Sequence, residues 1–173
     1  MSARKYGVCF VCSGNICRSP MAESVFTQRL RAAGLADSVE ASSAGIGPWH
    51  AGEPMDQRAA ETLAEHGYPT EHVAAQVAAR HLGADLVLAM DTGHRRDLLR
   101  LVDDPDSLRM FRSFDPAVAD VGELDVPDPY YGGDQGFVDL LGMIEAAMPG
   151  LVEFVAKEAG KDVTEEVGNT RAD

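Results

Sequence analysis

Cys12 and Arg18 stand six positions apart in the stretch Cys12-Ser13-Gly14-Asn15-Ile16-Cys17-Arg18-Ser19-Pro20. A cysteine is a nucleophile as its thiolate, and a free thiol titrates near about 8.5, so useful reactivity calls for positive potential around it. The N-terminus of a following helix and Arg18 are two sources of that potential. The same groups suit an oxyanion: successive backbone N–H groups converge on it, and a planar guanidinium forks two of its oxygens. Nucleophile and anion cradle thus share one loop, built from Cys12, Ser13, Gly14, Asn15, Ile16, Cys17 and Arg18. Its chemistry is attack on phosphorus in a phosphate ester.

Blander readings exist for each residue. Most free cysteines are small buried hydrophobes, and Cys9 reads as one because it lies within the apolar run Val8-Cys9-Phe10-Val11. Cys9 and Cys12 also spell C-x-x-C, but no second cysteine pair follows and the five histidines are scattered. A zinc site or thioredoxin-like pair is therefore not expected. Cys17 could simply pack at a helix start. Asn15 and Ser19 could be turn and cap residues.

The elements that must position this loop alternate between strand and helix. Lys5 to Val11 reads as a strand. Ser19-Pro20 reads as an N-cap and first helical position. Met21, Val25, Leu30 and Ala33 supply a buried helical face that stops at Gly34. Val39 to Ser42 forms a short strand, followed by a Gly- and Pro-rich loop with the single tryptophan, Trp49. Helices are expected over 55–66, 75–82 and 93–102, with a strand over 86–90 and a short one over 109–112. From Ser113 to Gly133 the chain reads as loop. Phe137, Leu140, Leu141, Ile144, Met148, Leu151, Val152 and Val155 then recur at three and four, marking a long helix with a kink near Pro149. Helices connecting strands imply a single α/β domain over residues 1–157: a central parallel sheet with helices on both faces and the phosphate-binding loop directly after the first strand. Residues 158–173 are a polar tail expected to fray.

The segment Val11 to Pro20, together with Asp128-Pro129-Tyr130-Tyr131, resembles the low-molecular-weight protein tyrosine phosphatases, most closely their actinobacterial members. The likeness extends over roughly the first 155 residues. It implies Cys12 as nucleophile, Arg18 as phosphate ligand and Asp128 as general acid and base. A phenolic leaving group has a conjugate acid near pH ~10, and a positioned acid speeds its departure by about 10²–10⁴-fold. Asp104 and Asp115 also precede prolines, but both read as turns. Tyr130 and Tyr131 would wall a phosphotyrosine ring, with Trp49 opposite. By the same resemblance Asn15, Ser19, Ser43 and His72 form a hydrogen-bond network supporting the loop. Cys17 becomes a redox partner that traps oxidised Cys12 as a disulfide. Ala75-Gln76 departs from the family, many of whose members carry arginine before the glutamine.

The resemblance points to a protein-tyrosine phosphatase acting on tyrosine-phosphorylated proteins without metal or other cofactor, with inorganic phosphate as product and competing ligand. One rival is an arsenate reductase on the same fold, although no cysteine follows Cys17 to resolve an arseno-adduct. Another is a phosphate-dependent binding module whose catalysis has decayed. The whole chain fits a globular enzyme: 173 residues, 45% hydrophobic and 25% charged. A net charge of −13 disfavours nucleic acid and anionic lipid as partners. No apolar segment is long enough to span a bilayer, and Met1 to Lys5 is too short and polar for a signal peptide. A cytoplasmic monomer or weak dimer is expected, with release from the cell without a signal as the alternative.

Overall fold

The computed structural model describes residues 4–161. Its order is β1 (Tyr6–Cys12), α1 (Arg18–Ala32), β2 (Val39–Gly45), α2 (Gln57–Glu65), α3 (Ala79–Leu82), β3 (Leu86–Ala89), α4 (Thr92–Leu99), β4 (Leu108–Met110), α5 (Pro116–Ala119) and α6 (Asp134–Glu158), with 3-10 turns at Pro105–Ser107 and Phe111–Phe114. All strand pairs are parallel, and the sheet order is β2-β1-β3-β4.

Side chains alternate across β1 as the period of a strand requires. Val8, Phe10 and Cys12 enter a core shared with α1, α2 and α6, whereas Cys9 and Val11 join Val87, Ala89 and Leu98 on the other face, under α3 and α4. The sheet is therefore covered on both faces, as expected for parallel strands with near-continuous apolar sequences. Phe10 anchors the larger core, meeting Phe26 and Phe111 edge to face at 5.4 and 5.7 Å. Each such pair adds roughly 0.5–1.5 kcal/mol beyond area burial.

From β1 the chain crosses to β2 on one side, and it later returns to β3 on the other. This reversal opens a crevice at the carboxyl end of β1, the place where ligands bind in open α/β sheets. Gly45, paired with Cys12 at the end of β2, lets the loop pack onto it; a Cβ there would lie 2.9 Å from the Ser13 carbonyl oxygen.

Several boundaries differ from expectation. β2 runs three residues further, to Gly45. The helix expected over 75–82 is only Ala79–Leu82, because Gln76 bridges to Gly45 and Val77 N–H donates to the Gly45 carbonyl at 2.8 Å. The loop over 113–133 contains α5, capped by Asp115, while Asp104 caps the 3-10 turn at Pro105–Ser107. α6 is continuous through Pro149. The fraying expected for the tail lies, at residues 162–173, outside the described residues. Among those described, no helix is long and apolar enough to cross a membrane.

Candidate active site

The loop between β1 and α1 curls around the Cys12 sulfur. Asn15 makes the curl by adopting a left-handed backbone conformation, φ 61°, one that Asn tolerates better than most residues. Ser19 does not cap the helix as its sequence position suggested. Cys17 occupies that position without a side-chain cap bond, and α1 begins at Arg18. The Ser19 hydroxyl is instead recruited inward, 2.9 Å from Cys12 Sγ, while the Ser19 N–H donates to the same sulfur at 3.4 Å.

The direction of these bonds follows from a chain of donors. Asn15 Oδ1 accepts from the Ala75 N–H at 2.9 Å, which fixes the amide's orientation. Both amide protons are then donated, to Ser19 Oγ at 2.7 Å and Ser43 Oγ at 3.0 Å. Ser43 in turn donates to Glu23 at 2.5 Å. Ser19 accepts from Asn15 and keeps its own proton to donate to a Cys12 thiolate, which has none to give. His72 Nε2 lies 2.7 Å from the Asn15 carbonyl, so that nitrogen carries the proton. The departure at Ala75-Gln76 leaves the network intact, since the bond to Asn15 comes from the Ala75 backbone.

Arg18 is buried, its side chain only 4% exposed, and every contact helps aim it. Nη1 donates to Asp91 Oδ2 and the Val126 carbonyl, each at 2.9 Å. Nη2 donates to Ser13 Oγ at 3.3 Å and lies 3.6 Å from Asp128 Oδ2. Burial alone would raise the Asp91 carboxyl, but the His94 N–H and the charges around it outweigh burial and hold it below the ordinary range. His94 Nε2 lies 2.8 Å from Ser13 Oγ. Nε2 accepts from Ser13 when the ring proton is on Nδ1, the nitrogen facing the Asp91 carboxylate. That nitrogen sits 3.2 Å from Asp91 Oδ1, without hydrogen-bond alignment. Burial, reinforced by Arg18, pushes the imidazole down to about 4, so His94 is neutral near pH 7.

Asp128 faces this pair from the loop between α5 and α6. Its Oδ1 accepts the Tyr130 N–H at 3.0 Å. Val126 N–H bonds the Met90 carbonyl at 2.7 Å, and Thr92 bonds Asp125 through its N–H and hydroxyl at 2.8 and 2.7 Å. These contacts secure the start of this loop.

Cys12, Ser13, Gly14, Ile16, Cys17, Arg18, Trp49, Asp128, Tyr130 and Tyr131 all line one cavity of about 460 Å³. Asn15, Ser19 and Ser43 are packed behind it, as the network requires, and half-buried His72 lies on the same rear side. Trp49 is 67% and Tyr131 91% exposed, so the mouth of the cavity is aromatic and open. Burial pushes the Cys17 thiol up, and Asp56, Cys12 and Asp128 act the same way. Cys9 lies across the sheet, its thiol pushed up to about 12 by burial, so the C-x-x-C residues do not form a pair. Among the described residues, no three His, Cys, Asp or Glu side chains group as a metal site. Sequence reasoning missed His50 in the cavity wall, Glu23 at the end of the network, and Asp91 and His94 behind Arg18. Of these, only Asp91 carried a local signal, as the polar residue directly after the buried strand.

Fold and site together define a class, α/β proteins with a cysteine-bearing loop at the carboxyl end of a parallel sheet. Comparison with known proteins narrows it. Residues 7–162 match the family model of the low molecular weight phosphotyrosine protein phosphatases. The chain is 54% identical over 157 residues to a low molecular weight protein-tyrosine-phosphatase of Streptomyces coelicolor, covering 88% of this chain and 95% of that one. It is 50% identical over 155 residues to low molecular weight protein-tyrosine phosphatase A of Mycobacterium tuberculosis, covering 90% and 94%. The crystal structure of YfkJ from Bacillus subtilis superposes with a TM-score of 0.82 at 33% identity, covering 90% and 98%. The chain belongs to the low-molecular-weight protein-tyrosine phosphatase family and is a protein-tyrosine phosphatase.

Proposed function

We propose that the chain hydrolyses phosphotyrosine in proteins, and small aryl phosphates, through a cysteinyl-phosphate intermediate. The observation that carries this reading is the convergence of Cys12, Arg18 and Asp128 in one cavity with an aromatic mouth. Cys12 thiolate attacks phosphorus while Arg18 and the loop N–H groups hold the equatorial oxygens. The P–O bond to the phenol breaks, and protonated Asp128 gives its proton to the departing oxygen. Asp128, now a carboxylate, takes a proton from the water that attacks the cysteinyl-phosphate. The S–P bond breaks, inorganic phosphate leaves, and the thiolate returns to its two donors from Ser19.

Trp49, Tyr130 and Tyr131 give the aromatic preference, since an aryl ring between them removes apolar surface from water. Inorganic phosphate, the product, competes with substrate for the loop. Cys17 shares the cavity with Cys12 and condenses with the sulfenic acid of oxidised Cys12, forming a disulfide and releasing water. A reducing cytoplasm suits three buried free cysteines.

The test is hydrolysis of an aryl phosphate by the reduced protein in chelator, beside Cys12→Ser and Asp128→Asn variants. Turnover should survive the chelator, vanish in the first variant and fall by about 10²–10⁴-fold in the second. No turnover by the folded parent would overturn the reading.

A further inference from the structure

We propose that Arg58 is a positioning residue for the general acid, acting as a brace that ties the acid loop to the phosphate loop. The inference rests on the assignment of Asp128 given above. Arg58 lies in the first turn of α2, outside the cavity, on the side chain of its own helix cap. Asp56 Oδ1 accepts from the Arg58 N–H at 2.8 Å and from Nε at 3.1 Å, while Oδ2 accepts from Nη2 at 3.0 Å. This fork fixes the guanidinium plane. The remaining hydrogens reach across 72 and 74 residues of sequence: Nη2 donates to the Tyr130 carbonyl at 2.9 Å, and Nη1 to the Gly132 carbonyl at 3.2 Å. The plane is also stacked, its centre 4.7 Å from the Phe137 ring and 5.6 Å from that of Tyr130.

Both ends of the brace meet catalytic machinery. The Asp56 N–H donates to the Ile16 carbonyl at 2.8 Å, inside the phosphate loop. At the other end, Tyr130 is held through both backbone groups, its carbonyl by Arg58 and its N–H by Asp128 Oδ1. A continuous path of hydrogen bonds thus runs from Ile16 through Asp56, Arg58 and Tyr130 to the Asp128 carboxylate. Burial alone would raise the Asp56 carboxyl, but Arg58 outweighs it and holds Asp56 ionised, keeping the fork closed. Lysine substitutes only in part, because one ammonium keeps the charge but has neither the planar fork nor the stacking face.

Protonation of the leaving group counts most when the departing phenol is a poor leaving group. Loss of the brace is therefore read as a steeper dependence of kcat/KM on leaving-group pKa, a signature that general loosening does not produce. In kcat/KM this isolates P–O cleavage, the first irreversible step. Arg58→Met, which keeps the aliphatic stem, and Arg58→Lys are measured on aryl phosphates whose phenols span low to high pKa, beside Asp128→Asn. Arg58→Met should lose about 10–100-fold on phenols near pKa ~10, since misplacement by an ångström costs that order. It should lose only a few-fold on the most acidic phenols. Arg58→Lys should fall between parent and Arg58→Met. Combined with Asp128→Asn, Arg58→Met should cost less than about twofold more, because residues acting as one unit are not additive.

Equal losses at every leaving group, or full additivity with Asp128→Asn, would overturn the brace while leaving the acid assignment standing. If Asp128→Asn itself left the leaving-group dependence unchanged, the acid assignment would fail and the brace with it. Competitive inhibition by inorganic phosphate reports on the phosphate loop separately and should change less than about threefold in Arg58→Lys.

Discussion

Replacing His94 with glutamine should remove a specific slice of the protein's acid sensitivity. His94 is buried beside Arg18, and its imidazole is held down at about 4 by burial and by that guanidinium. Asp91, Asp128 and Asp97 oppose the shift without cancelling it. In the unfolded chain the ring takes a proton near its ordinary value of 6.5, whereas the native state resists until about 4. Between those values the unfolded state binds more protons, so stability rises with pH across the window. The contribution is complete above pH 6.5 and is lost as pH falls to about 4. At roughly 1.4 kcal/mol per pH unit, the span from 6.5 to about 4 amounts to about 3 kcal/mol. Glutamine is neutral throughout and can still accept from Ser13. Urea unfolding of parent and His94→Gln under reducing conditions, at intervals from pH 7.5 to 4, measures the effect. The stability difference between the two should move by about 3 kcal/mol against the parent as pH falls. Carboxylates away from His94 titrate alike in both and cancel, while Asp91, which His94 helps to hold ionised, shares in the measured difference. A difference that stays constant across the range refutes the reasoning.

Asn15→Ala should cost about 3 kcal/mol in urea unfolding, from its lost hydrogen bonds and the left-handed backbone; Asn15→Gly should recover about 1 kcal/mol of this. On α6, the same change should act with opposite signs at two positions. Gly150→Ala drives a methyl into the Phe114 carbonyl and should lower stability by about 1–3 kcal/mol, whereas Gly142→Ala enters open space and should raise it by about 0.5–1 kcal/mol. Cys17→Ser should leave peroxide inactivation intact but make recovery by thiol fall several-fold, as measured by residual activity; unchanged recovery would remove Cys17 from the redox role.

The loop that curls around Cys12 was legible because its parts are local in sequence. Cys12, Arg18 and the helix that follows lie within one continuous segment, and a continuous apolar run announced the buried strand before it. What was illegible depends on distant partners. Nothing within five residues of Arg58 or His94 says that one reaches Tyr130 and the other Ser13. Ser19 was misread for the opposite reason: its local signal for a cap is strong, but the cysteine sulfur and Asn15 outcompete the helix end for its hydroxyl. The segment 75–78 was likewise read as helix, yet its backbone runs alongside the end of β2, where pairing with Gly45 overrides propensity.

The acid loop is tied down at both ends, by Arg18 and Met90 at Val126 and by Arg58 at Tyr130 and Gly132. An enzyme arranged this way has no assembly step left for a large substrate to drive. Contacts made far from the phosphate by a folded protein partner can lengthen the encounter, but they cannot improve alignment that already exists. Partner selection should therefore be written in KM while kcat stays nearly common to peptides and proteins. In the cell, such a catalyst would owe its choice of substrate to local concentration and tethering.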